Sequence, residues 1–317
     1  MTEDLGKIFC MNNAADVSAF DGFLRQGVVP KPGLLQRLRN PLAACRLAMA
    51  SNVGLGAAAA ALLRPSGRRR GVLRAVEDVI FAQQDLRLVS AFPRVAQVLQ
   101  SSRSGGGFDH RGQGAKLLEI SALRDYVGAR RCLELGSGVT SAMFACRLAD
   151  GGDFETVEEA EDWRQKLLHN MAPFAGQFHS RHAKRVIATM DGDPVVHYDI
   201  DHDKTWDLVY VDGPTNKVAD QLGEQQRRRA YDLDSEGRLA NADVALMWQA
   251  GRFPSMVVVD GRRSTVRFLA ERSQNRYAIF LRSAYMSRAQ GIIPPYNLYH
   301  TVFLRRDWAL EQDNVAA

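Results

Sequence analysis

The chain has 317 residues, 46% of them hydrophobic and 24% charged, with a net charge of +5. That balance belongs to a globular protein with a sizeable core and excludes a low-complexity or disordered chain. The charge excess is too mild to argue for a nucleic-acid partner, and Cys10, Cys45, Cys132 and Cys146 lack the CxxC spacing of a zinc site or a disulfide framework.

Residues 1–105 read as a helical region. The opening MTEDLGKIFC carries acids early and no apolar signal core. The expected compartment is therefore the cytoplasm. Residues 41–63, PLAACRLAMASNVGLGAAAAALL, are Ala-rich and interrupted by Arg46, and the uninterrupted part, residues 47–63, is at the low edge of length for a membrane span. They suit a buried or hairpin helix. With the basic run RPSGRRR behind them, residues 41–70 also suit peripheral contact with an anionic membrane surface. Residues 71–100 carry apolar residues at three-and-four spacing, broken near Pro93. SSRSGGG at 101–107 then reads as a flexible joint before a second domain over 106–317.

Beyond the joint, strands and helices alternate. Residues 116–127 predict a helix, 131–135 a short apolar strand, 141–148 a helix, 154–158 a strand and 162–171 a helix. Residues 178–187 are mixed, read as a strand followed by a turn. Residues 208–211 and 256–259 are buried strands, and 277–282 and 300–304 are late strands around GIIPPYN. Such alternation requires parallel crossovers in a doubly wound sheet, with the last two strands an antiparallel pair at one edge.

The chemistry concentrates at the ends of these strands. In RRCLELGSGVTSAMF, residues 130–144, Gly136 and Gly138 stand where a strand hands over to a helix. A turn without side chains lets backbone approach a ligand at the crevice of an open sheet, although a tight strand–helix connection alone uses the same residues. Glu134 precedes the turn, and Ser141 stands where a dinucleotide fingerprint has Gly or Ala. A carboxylate there is awkward for a pyrophosphate and suits a cation, such as the ammonium and sulfonium of S-adenosylmethionine. About 20 residues on, Glu158 ends the next strand, placed to accept both hydroxyls of a ribose or to cap the acidic helix start behind it. WDLVYVDGP sets Asp212 at the end of a third strand, and MVVVDGRRS sets Asp260 at the end of a fourth. Asp212 and Asp260 are a candidate pair for Mg²⁺ or another divalent cation, or else loop caps paired with Arg262 or Arg263. His179, His182, His197, His202 and His300 are candidate bases or ordinary structural histidines. Arg227 to Arg229 suit an acidic substrate or a solvated helix face.

Over roughly residues 110–307 the chain resembles the class I S-adenosylmethionine-dependent methyltransferases. LELGSGVTS is similar to their first motif, TVEEAEDW to their second-strand acid region and WDLVYVDGP to their fourth motif. The resemblance implies a Rossmann-like seven-stranded sheet with an antiparallel last strand. It implies that Glu134, Gly136, Ser137, Gly138 and Ser141 form the cofactor turn, with Glu134 and the two glycines lining the methionine part. Glu158 would hold the ribose, and Asp212 would sit beside the transferred methyl as the catalytic group. Thr140 replaces the third glycine of that pattern, and SRHAKRV carries no acid for adenine. VDGP in the fourth motif, rather than an Asn-Pro-Pro-Tyr run, points away from nucleobase or glutamine amides and toward O-methylation of a small molecule or sugar. Two other readings are a nicotinamide-dependent oxidoreductase in the same crevice and a non-catalytic, membrane-associated partner protein. Nothing in the sequence sets an oligomeric state.

Overall fold

The computed structural model describes residues 88–104, 113–149, 151–234, 236–274, 276–280 and 300–307. Those residues fall into two contact units. Residues 88–93 and 113–119 belong to one and contribute helical segments. Residues 94–104, 120–234, 236–274, 276–280 and 300–307 belong to the other, which carries every strand described below. Residues 41–70 and 292–297, IIPPYN, lie outside the described residues. Among the described residues no helix is long and apolar enough to cross a membrane.

Helices α1 (Pro93–Ser104) and α2 (Gln113–Tyr126) precede strand β1 (Arg131–Leu135). The chain then runs α3 (Thr140–Leu148), β2 (Asp153–Glu158), α4 (Glu161–Asn170) and β3 (His179–His182). Strands β4 (Arg185–Met190) and β5 (Asp193–Tyr198) follow, then β6 (Leu208–Val211), α5 (Glu224–Leu233), β7 (Ala240–Asn241) and α6 (Asp243–Gln249). The last elements are β8 (Met256–Asp260), α7 (Arg263–Arg272), β9 (Tyr277–Phe280) and β10 (His300–Arg305). Seven strands form one sheet in the order β3-β2-β1-β6-β8-β10-β9. The order reverses direction at β1, and β10 alone runs antiparallel to its neighbours β8 and β9. This is the Rossmann-like, doubly wound architecture expected from the alternation of elements.

The last two strands form the expected antiparallel pair at one edge of the sheet, with β10 inserted between β8 and β9 and β9 outermost. The physical reason is burial. HTVFLR is buried at its first five positions, which needs a strand on each side, and Val302 is 0% exposed.

The centre of the sheet is dry. β1, β6 and β8 are near-continuous apolar runs because helices cover both their faces. Phe144 of α3 anchors one cover. Its ring lies 5.3 Å from Phe154 on β2 and 5.9 Å from Tyr210 on β6, so one helical residue spans the two strands that flank β1.

A second, three-stranded sheet, β4-β5-β7, was not foreseen. The read strand-then-turn at 178–187 is instead two strands, and β4 folds back on β5 as an antiparallel hairpin. Asp191 (φ 52°) and Gly192 (φ 86°) form its two-residue turn. Asp-Gly is the pair that hairpin loops with two positive φ values select, so the signal was present in MDGD. Asp193 then receives Arg229 of α5 at 2.8 Å and Arg272 of α7 at 3.4 Å, and Arg228 pairs with Glu224 one turn away. Two arginines of the basic triplet are thus committed within the chain. Val196, Val218, Ala230 and Leu239 form a small core on this side.

Candidate functional site

An open cleft of about 340 Å³ lies where the sheet order reverses, at the carboxyl ends of β1, β2 and β6. That is the position in which an open α/β sheet exposes a ligand crevice. Its lining includes Gly136, Ser137, Glu158, Asp212, Trp163 and Arg262. Of the cofactor and catalytic residues named from sequence, Gly136, Ser137, Glu158 and Asp212 line it. Glu134, Gly138 and Ser141 do not.

Glu134 is 0% exposed. Rather than facing the cleft, its carboxylate receives the hydroxyls of Thr140 and Ser141. Ser141 Oγ also accepts the Gly138 amide at 3.2 Å. The three residues therefore form a polar brace beneath the turn. Thr140, at the place of the family's third glycine, belongs to that brace: its hydroxyl replaces backbone proximity with a hydrogen bond. Burial, the largest influence, pushes the Glu134 carboxyl up to about 7, against the pull of those hydroxyls.

Gly136 follows with φ +92°, and it abuts the backbone of the β6 loop. Glu158, at the end of β2, binds the far side of the turn. One carboxylate oxygen accepts the Ser137 amide (3.1 Å) and hydroxyl (2.8 Å), while the other accepts the amides of Glu159 (2.9 Å) and Ala160 (3.1 Å). The loop role and the ligand-facing position thus coincide in one residue. Glu159, also in the lining, accepts the Thr215 amide through Oε1 at 3.0 Å, but its buried Oε2 has no hydrogen-bond partner. Trp163 stands over the turn with its indole N–H donating to the Ser137 carbonyl at 3.1 Å.

On the β6 side, Asp212 is 42% exposed, with the Arg262 Nε 3.7 Å from its carboxylate. Arg262 also donates to the Asp212 carbonyl and, at 2.8 Å, to the Pro214 carbonyl. Asp260 is not part of the lining. It lies opposite His300 in the sheet and hydrogen-bonds the buried Tyr210, whose phenol is raised by burial and then by the Asp260 charge. In the candidate metal pair, Asp212 has the Arg262 guanidinium beside its carboxylate and Asp260 hydrogen-bonds the Tyr210 phenol, so each acid has another partner within the chain.

Sequence reading missed Trp163, Tyr198, Glu159 and the position of Arg262. Trp163 was visible as the one aromatic in the helix start after Glu158. Tyr198 was hidden because its strand, β5, was hidden.

No protein-family model and no curated protein matches the chain. Solved structures similar to it include an O-methyltransferase from Bacillus cereus in complex with SAH, with 13% identity over 70% of this chain and 96% of that one, and a TM-score of 0.42. The O-methyltransferase TomG from Streptomyces achromogenes, in complex with SAM, is similar at 16% identity over 70% and 95%, with a TM-score of 0.42. The SAH-bound methyltransferase PaMTH1 from Podospora anserina is similar at 12% over 77% and 98%, with a TM-score of 0.40. The strand order, rather than these superpositions, defines the architecture.

Proposed function

We propose that the chain is an S-adenosylmethionine-dependent methyltransferase that methylates a hydroxyl of a small molecule or sugar-type substrate. The observation that carries this reading is the charge of the cleft. Its lining holds four carboxylates (Glu158, Glu159, Asp162 and Asp212) against one guanidinium, Arg262. A wall of that sign repels the pyrophosphate of a nicotinamide dinucleotide and attracts a cofactor with a sulfonium and an ammonium. The neighbours bound to SAM or SAH are consistent with this choice.

The residues present suit the group. Glu158 is the acceptor at the strand end for the ribose hydroxyls, and the Trp163 ring offers a flat apolar surface for the base. When bound, S-adenosylmethionine supplies an electrophilic methyl group. The chain's own work is alignment and proton removal. Asp212, at the end of β6 with its side chain 42% exposed, is placed to orient an acceptor hydroxyl and take its proton. Arg262, its Nε 3.7 Å from that carboxylate, holds the Asp212 loop by donating to the Asp212 and Pro214 carbonyls.

Isothermal titration with S-adenosylmethionine, S-adenosylhomocysteine and NAD, with and without Mg²⁺, tests the reading. The first two ligands bind and NAD does not. Glu158→Gln weakens both by about 10-fold to 100-fold, because a charged acceptor shared by the loop and the ribose is lost. Binding of NAD alone, or affinity unchanged in the variant, overturns the assignment.

A further inference from the structure

A second group of side chains lies away from the cleft lining, at the end of β5. His197, His202 and Asp243 bring three potential ligand atoms within 4.8 Å of one another, and among the described residues this is the group able to hold a metal ion. We propose that these three residues form a binding site for a borderline divalent transition-metal ion of the Zn²⁺ class, with a fourth position open to water.

The arrangement has the supports that a metal site requires around its ligands. The Asp243 carboxylate is 0% exposed and is aimed by backbone and side chain alike. Its Oδ1 accepts the Tyr198 amide at 3.0 Å, and its Oδ2 accepts the Asn241 side-chain amide at 2.7 Å. His202 Nε2 stands 2.9 Å from the same Oδ1. Ligand atoms around a tetrahedral zinc, each about 2.0–2.2 Å from the ion, lie roughly 3.3 Å apart, so the pair needs to open by only a few tenths of an ångström. His197 Nδ1 lies 2.8 Å from the Tyr198 carbonyl. A proton on that nitrogen, donated to the carbonyl, leaves the Nε2 lone pair for a metal; this is the orienting bond that ligating histidines make. The two imidazoles meet edge to face, with ring centres 5.8 Å apart. His202 is 15% exposed, which gives an ion a way in from solvent.

Two imidazoles and one carboxylate suit Zn²⁺ better than Mg²⁺ or Ca²⁺, which take oxygen ligands. The site would also reach the cleft. Asn241, which holds Asp243, donates to the Gly213 carbonyl at 2.8 Å, and Tyr198 lines the cleft itself. An ion here would fasten β5 to the start of α6 at the point where both support the β6 loop.

The test is titration of the chelator-treated full chain with Co²⁺, read by visible absorption, followed by displacement with Zn²⁺ and by thermal unfolding. One equivalent of Co²⁺ should give the intense absorption of a four-coordinate site, and Zn²⁺ should bleach it and raise Tm. His197→Ala and His202→Ala should each weaken binding by about 100-fold. His179→Ala, on the exposed edge strand β3, should leave it unchanged. Both histidines of the site are partly exposed, so their variants fold. Absence of saturable binding, or binding that survives both variants, overturns the proposal and leaves the cluster a hydrogen-bonded brace.

Discussion

Replacing Gly136 with alanine is expected to cost at least about 3 kcal/mol of stability and to abolish cofactor binding. Two effects add. The residue has φ +92°, beyond the left-handed helical range that an L-residue tolerates. A Cβ there would also lie 2.4 Å from the Gly213 nitrogen and 2.7 Å from the Asp212 carbonyl carbon. Those atoms are backbone, so neither can swing aside, and the β1 and β6 loops would have to part. Gly213 meets the same limit from the other side, since its Cβ would lie 2.5 Å from the Gly136 Cα. Gly128→Ala is the control: its φ is +59° and nothing lies within 4 Å, so about 1 kcal/mol is expected. Denaturant unfolding of both variants decides the matter. A Gly136→Ala protein as stable as the Gly128→Ala protein, with binding intact, would show that the loops do not meet.

The second large effect is that of Glu134, and it depends on pH. Burial raises its carboxyl from 4.5 to about 7 in the folded chain. The folded state therefore keeps a proton that the unfolded chain gives up. Its stabilising contribution is complete below about pH 4.5, declines as pH rises through the window, and is gone above about 7. At 1.36 kcal/mol for each pKa unit, the whole swing is about 3 kcal/mol. Glu134→Gln has no such proton, so it should be more stable than the parent by roughly 2–3 kcal/mol at pH 8 and nearly equal to it at pH 4.5. Cofactor affinity should move the other way. An ionised Glu134 beneath the turn adds attraction for a cation, so affinity rises between pH 6 and 8 in the parent and stays flat in the variant. Parallel stability curves for the two proteins would refute this account.

What could be read from the chain alone was whatever obeys a local period. Alternating apolar runs and helical stretches announced the doubly wound sheet, because a strand covered on both faces has to be apolar throughout. Several residues ending those strands were legible for the same reason: a polar side chain at the end of a buried strand is a candidate to emerge at the crevice. Gly136, Glu158 and Asp212 were found in this way and Ser137 through the family resemblance, and all four line the cleft. The hairpin was legible too, in the Asp-Gly pair at 191–192, although the flanking segment did not read as two strands.

The rest depended on which groups meet across long separations in sequence. Whether Glu134 faces a ligand or the hydroxyls of Thr140 and Ser141 is decided by how α3 settles on β1, and the sequence motif is the same in either case. Asp212 and Asp260 stand at the ends of neighbouring strands, yet Arg262 claims one and Tyr210 the other. Electrostatic partners are chosen by distances of a few ångströms, and no spacing rule carries that information. The approach of His197 and His202 to Asp243, 41 residues beyond His202, is of the same kind. Local sequence determined the elements and the ends at which chemistry emerges. Only the packing of those elements decided which charges face the cleft, which are neutralised beneath it, and which converge elsewhere.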